Sequence, residues 1–71
     1  MVDTIRQIIA EALDVSPERL AADTDISTLE SWDSLRQVLI IAEIEDQLHA
    51  SVPIEKVATL RRVQDFVDVI S

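Results

Sequence analysis

Apolar residues recur at helical spacing in three stretches of the chain. In the first, Ile5, Ile8, Ile9, Ala12 and Leu13 fall at i, i+3, i+4, i+7 and i+8, which is one face of a helix. This predicts a helix over 3–13, with Asp3 as its N-cap. Ser16-Pro17 ends it and opens a short turn, with Pro17 at the first position and Leu20 pointing inward. At the other end of the chain, Leu60, Val63, Phe66, Val67 and Ile70 repeat at the same period. Thr59 is the expected cap of that final helix. After a connector that includes Pro53, residues 54–58 can form a single helical turn with Ile54 and Val57 inward.

The middle of the chain carries two different patterns. Residues 21–33 have no sustained period and read as a long loop, which is unusual in a compact domain and often functional. Ile26, Leu29 and Trp32 are the residues expected to pin it to the core. From Ser34 to Leu48 the helical period returns, with Ser34 and Gln37 spaced as a Ser-x-x-Gln capping box. At ~100° per residue this helix has two apolar stripes. One is Ile40, Ile41, Ile44 and Leu48; the other is Leu35, Val38, Leu39 and Ala42. One stripe suffices to pack a helix on a core. The second is therefore either another buried side or an exposed contact surface that begins beside Ser34. In a domain this small, at least part of it is expected to be exposed, Val38 and Leu39 included. Glu43, Asp46 and Gln47 form the polar edge.

The pattern predicts an all-α bundle of three main helices and one short helix, with the long loop between helices one and two. Its 71 residues make one domain, 1–71, with a small core. Composition narrows the chemistry. There is no cysteine, so there is no disulfide and no thiolate metal site, and any working thiol must come from a cofactor. There is no glycine, which removes Gly-rich phosphate loops, the dinucleotide fingerprint and the Gly-flanked serine elbow of esterases. The formal charge of −8 repels nucleic acid and anionic membranes and favours basic partners. No apolar run approaches the ~20 residues that span a bilayer, and residues 1–6 lack the layout of a signal peptide. The expected location is cytoplasmic.

Few residues offer reaction chemistry. His49 is the only imidazole. It falls at the opposite end of the second helix from Ser34, roughly 22 Å away at 1.5 Å per residue, so the two cannot form a hydrolase pair. Asp23, Asp25 and Ser27 faintly suggest a calcium loop, but Thr28 and Ser34 stand where such a loop needs Gly and Glu. No metal site is expected. Ser34 itself has two readings. It can be a simple N-cap. Its hydroxyl is also well placed to carry a phosphate, because helix N-termini leave N–H groups unpaired and favour negative charge.

The sequence Trp32-Asp33-Ser34-Leu35 at the loop-to-helix junction resembles the acyl and peptidyl carrier proteins. The resemblance extends over nearly the whole chain. Ala22-Asp23-Thr24-Asp25-Ile26, the Pro53 connector and the ending 59–67 also look like that family. It implies a four-helix carrier fold and a carrier that is not an enzyme. It implies a 4′-phosphopantetheine arm on Ser34, within the Asp33-Ser34-Leu35 motif, moved there from coenzyme A by a phosphopantetheinyl transferase. An adenylating ligase or acyltransferase then loads cargo on the arm's thiol as a thioester, and downstream acyl-processing enzymes receive it. By resemblance Leu35, Val38, Leu39 and Ala42 face partner enzymes, and Glu45 and Asp46 pair with their basic patches.

Three positions depart from the fatty-acid carriers. Trp32 stands where those have a small residue, Arg36 where they have an acidic or polar one, and Leu39 where they have an acidic one. These departures look more like a stand-alone carrier of a specialised or aminoacyl pathway with a dedicated partner, and the chain is expected to be a monomer. The cargo stays open among fatty acyl, malonyl, amino acid and D-alanyl. The rival reading is an adaptor of the same fold that is never modified.

Overall fold

A computed structural model describes residues 2–70; Met1 and Ser71, counted in the expected domain, lie outside the described residues. Four α-helices follow in order: α1 Val2–Leu13, α2 Ser34–Leu48, α3 Ile54–Val57 and α4 Val63–Ile70. Two short 3-10 turns, Pro17–Arg19 and Ile26–Thr28, lie between α1 and α2. The architecture is the expected all-α bundle with one short helix.

The core forms where the apolar faces of α1, α2 and α4 meet. Ile5, Ile9 and Leu13 of α1, Ile40 and Ile44 of α2, and Val63 and Phe66 of α4 are fully buried. Leu20 and Ile26 from the loop, and Val52 and Leu60 from the connectors, close the remaining sides. Leu29 and Trp32 pack against this cluster from the loop while staying partly exposed.

Helix ends depart from the sequence reading in instructive ways. α1 starts one residue early, so Asp3 lies within its first turn and pairs with Arg6 at 3.0 Å instead of capping. An acidic side chain there still suits the helix dipole. With no glycine available, the left-handed residues that close α1 and α2 are Asp14 (φ 55) and His49 (φ 50). Behind each, the next amide reaches back five residues: Val15 N–H donates to Ala10 O at 3.0 Å, and Ala50 N–H to Glu45 O at 3.2 Å. This is the Schellman closure, held here by residues that favour the conformation less than glycine does.

The long loop is less irregular than its sequence. Asp25 accepts from the Ser27 amide and hydroxyl, at 2.9 and 2.5 Å, and so caps the Ile26–Thr28 turn. Those two bonds hold the Asp25 carboxyl below its ordinary pKa. The loop then pairs with the segment before α4. Ile26 N–H donates to Arg61 O (2.8 Å) and Gln64 N–H to Ala22 O (2.9 Å), with an antiparallel bridge between Asp25 and Arg62. Asp25 is thus spent on a turn. Among the described residues no group of three or more His, Cys, Asp or Glu could hold a metal ion.

That pairing also explains why α4 begins at Val63 and not after Thr59. Arg61 and Arg62 pair with the loop instead of entering a helix, and Thr59 Oγ1 donates to Lys56 O at 2.7 Å. The start of α4 is fixed instead by Asp65, whose carboxylate accepts from the amides of Arg62 (3.0 Å) and Arg61 (3.3 Å). The Arg62 amide is the main cause of its lowered pKa. In α3, Val57 is half-buried but Ile54 is 87% exposed, against the expectation that both point inward. A single turn has no periodicity to fix its inner side, and Val52, Val57 and Leu60 already fill the inward places.

Candidate functional site

The candidate site is the start of α2. Asp33, in extended conformation, is the N-cap: its carboxylate accepts from Arg36 N–H at 2.8 Å, and its carbonyl from Gln37 N–H at 3.0 Å. Ser34 is therefore the first helical residue and not the cap, and the Ser34–Gln37 capping box does not form. The outcome matters chemically. Asp33 satisfies the helix end, so the exposed Ser34 hydroxyl makes no hydrogen bond among the described residues.

Gln37 has a different role. It is only 5% exposed, on the same face as Ile40 and Ile41. Its Oε1 accepts from Trp32 Nε1 at 3.0 Å, and its Nε2 donates to Val57 O at 2.8 Å and Leu60 O at 2.9 Å. A buried amide with every hydrogen used is a stable arrangement. The sequence carried a sign of it, because a polar residue one turn before Ile40 and Ile41 lies on the buried stripe.

Trp32, Ser34, Gln37, Val38, Val57, Ala58 and Arg61 line a cleft of about 270 Å³. Val57, Ala58 and Arg61 come from the α3–α4 region and were not legible as neighbours of Ser34. A second tie holds the loop below the serine. Arg36 Nη1 donates to Ser31 O at 3.0 Å, and Ser31 Oγ to Leu13 O at 2.6 Å. The departure at Arg36 thus anchors the loop to the end of α1.

The outer side of α2 gathers the remaining site candidates. Leu35, Val38 and Leu39 are 67%, 55% and 51% exposed, and Ala42 is exposed beside them. Glu43 and Asp46 are exposed, with Gln47 bonded to Glu43 at 2.7 Å. Glu45 differs: it is half-buried, and its carboxylate accepts from Val52 N–H at 2.8 Å, so it braces the turn after α2. His49 is exposed at the far end of α2 from Ser34.

An exposed, uncapped hydroxyl at a helix start, beside a cleft with apolar walls and one guanidinium, suits a long phosphate-linked arm. The family described as "Phosphopantetheine attachment site" matches residues 3–70. The chain belongs to the acyl carrier protein family. An acyl carrier protein of Thermosynechococcus vestitus is 28% identical over the whole chain and 88% of its own length. Acyl carrier protein 3 of Ralstonia nicotianae is 37% identical over 94% of the chain and 77% of its own length. As in this family, the carrier works through a covalently attached 4′-phosphopantetheine. None of the described helices is long and apolar enough to cross a membrane.

Proposed function

We propose that Ser34 carries the 4′-phosphopantetheine arm and that residues 1–71 form one carrier domain of a specialised biosynthetic pathway. The observation that carries this reading is the division of labour at the start of α2: Asp33 caps the helix, and the Ser34 hydroxyl is exposed and unengaged. A phosphopantetheinyl transferase moves the arm from coenzyme A onto that hydroxyl. The helix N-terminus then faces the new phosphodiester with its positive dipole end, and Arg61 lies across the cleft.

The arm, when bound, supplies a thiol for thioester chemistry. The chain's own residues do the rest. An adenylating ligase or acyltransferase loads the cargo, and the carrier delivers it to downstream acyl-processing enzymes. Tethering raises the effective concentration of cargo at each partner. Leu35, Val38, Leu39 and Ala42 form the apolar centre of the docking surface, with Asp46 and Glu43 as its acidic rim. Glu45 supports that surface through its bond to Val52. The chain contributes recognition and no bond-making group, since His49 lies a full helix length from Ser34.

A dedicated partner accounts for the departures from the fatty-acid pattern. Leu39 puts an aliphatic group where an acid is usual, so docking is less purely electrostatic. Trp32 and Arg36 fix the loop around Ser34. The direct test incubates the chain with coenzyme A and a promiscuous transferase. Gain of one arm by intact mass, absent in Ser34→Ala, supports the reading; an unmodified product in both supports an adaptor.

A further inference from the structure

We infer that Gln37 is a specificity-determining residue. By tying the two walls of the cleft together it restricts the carrier to compact cargo, short-chain acyl or aminoacyl groups, held in the surface cleft and not drawn into the core. The inference rests on the reading that Ser34 bears the arm, and it adds the class of cargo.

The cleft beside Ser34 has one wall from the loop, Trp32, and another from the end of α3, Val57 and Ala58. The Gln37 amide is bonded to both. Its oxygen holds the indole N–H, and its nitrogen holds the Val57 and Leu60 carbonyls. The partners also fix the amide's orientation, because an indole can only donate and carbonyls can only accept. Just behind it on the same face, Ile40 and Ile41 begin the core. An alkyl chain passing between α2 and α3 into that core must push the amide aside. That move breaks three hydrogen bonds; the bond to Leu60 O is buried, so this carbonyl and the displaced amide lose their partners away from solvent, which is costly. The volume outside the tie, about 270 Å³, lies just under the usual range for small-molecule sites.

The test compares acetyl and octanoyl forms of the carrier. Both are made from the corresponding acyl-coenzyme A with a promiscuous transferase and verified by intact mass. Thioester cleavage by hydroxylamine reports how exposed the cargo is. Burial of as few as two methylenes would favour a sequestered state about tenfold. In the wild-type chain the two thioesters are expected to cleave at rates within about twofold, with a thermal midpoint that does not depend on chain length. Gln37→Met keeps the bulk and removes the tie; in it, octanoyl cleavage is expected to slow about tenfold relative to acetyl. Trp32→Phe, which frees only one of the three bonds, should slow it less, and serves if Gln37→Met does not fold. Strong protection of octanoyl in the wild type overturns the inference, as does a folded variant with no protection. Loading that persists in Ser34→Ala counts instead against the attachment site.

Discussion

The two faces of α2 carry similar aliphatic side chains and meet opposite fates. Ile40, Ile41 and Ile44 are buried, whereas Leu35, Val38 and Leu39 are more than half exposed. The one buried polar side chain among the described residues, Gln37, belongs to the inner face. Hydrophobicity therefore does not decide which face turns inward. The number of partners does. On one side α1 and α4 offer long apolar faces, including Ile5, Ile9, Phe66 and Val63. On the other there is only the single turn of α3, which offers Val57 and leaves even Ile54 in solvent. Apolar surface that packing does not require, gathered next to a modification site, is a contact surface.

The largest effect should come from the inner face. Ile44→Ala is expected to destabilise the chain by about 2–5 kcal/mol, a large part of the whole for a domain this small. Urea unfolding followed by circular dichroism measures it. A loss below about 1 kcal/mol would mean that this face is not the core.

A smaller effect concerns α4, which packs on α1 around the same core. Hydrogen bonds from backbone amides hold the Asp65 carboxyl below its ordinary value of 3.8. A carboxyl with a depressed folded pKa stabilises the fold above its unfolded pKa, and that contribution is lost as pH falls through the folded value. The stability difference between wild type and Asp65→Asn should therefore be constant from about pH 7 to pH 5 and shrink below about pH 4. Asp25, lowered chiefly by Ser27, behaves in the same sense. Urea midpoints of Asp65→Asn and Asp25→Asn against wild type across that range check the sign; a difference that grows in acid contradicts it.

The smallest effect on stability should come from the outer face. Leu39→Glu is expected to change it by no more than about 0.5 kcal/mol, yet to weaken transfer to and from partner enzymes. Rim charge from Asp46 and Glu43 should make association with the transferase slow as salt rises, with screening over about 8 Å at 0.15 M. Association rates for wild type and Leu39→Glu, measured from low to high salt, separate the two contributions. A Glu variant that unfolds, or that transfers at the wild-type rate, removes the outer face from docking.

Sequence periodicity served well where one helix packs on others over several turns. The faces of α1, α2 and α4 follow from 3.6-residue spacing, and both the limits of α2 and the exposure of Val38 and Leu39 were legible. The Asp-Ser-Leu junction was legible as a motif. Four features were not, for separate physical reasons. Asp33 and Ser34 are both good caps, and only backbone geometry decides between them. Gln37 fits a capping-box spacing, while its true partners, Val57 and Leu60, are 20 and 23 positions away. Thr59 and Ile54 precede or occupy segments too short for periodicity. The pairing of the loop with residues 61–64 runs through backbone groups, which side-chain identity does not encode.

The central claim is that capping and modification fall to different residues, Asp33 and Ser34. It is tested most directly by intact mass and circular dichroism on wild type and Ser34→Ala, each treated with coenzyme A and a phosphopantetheinyl transferase. The account predicts one arm on the wild type, none on the Ala variant, and the same helical content and unfolding midpoint in both, because Ser34 caps nothing. An arm on the Ala variant, or a loss of about 1 kcal/mol as expected for a missing N-cap, would contradict it.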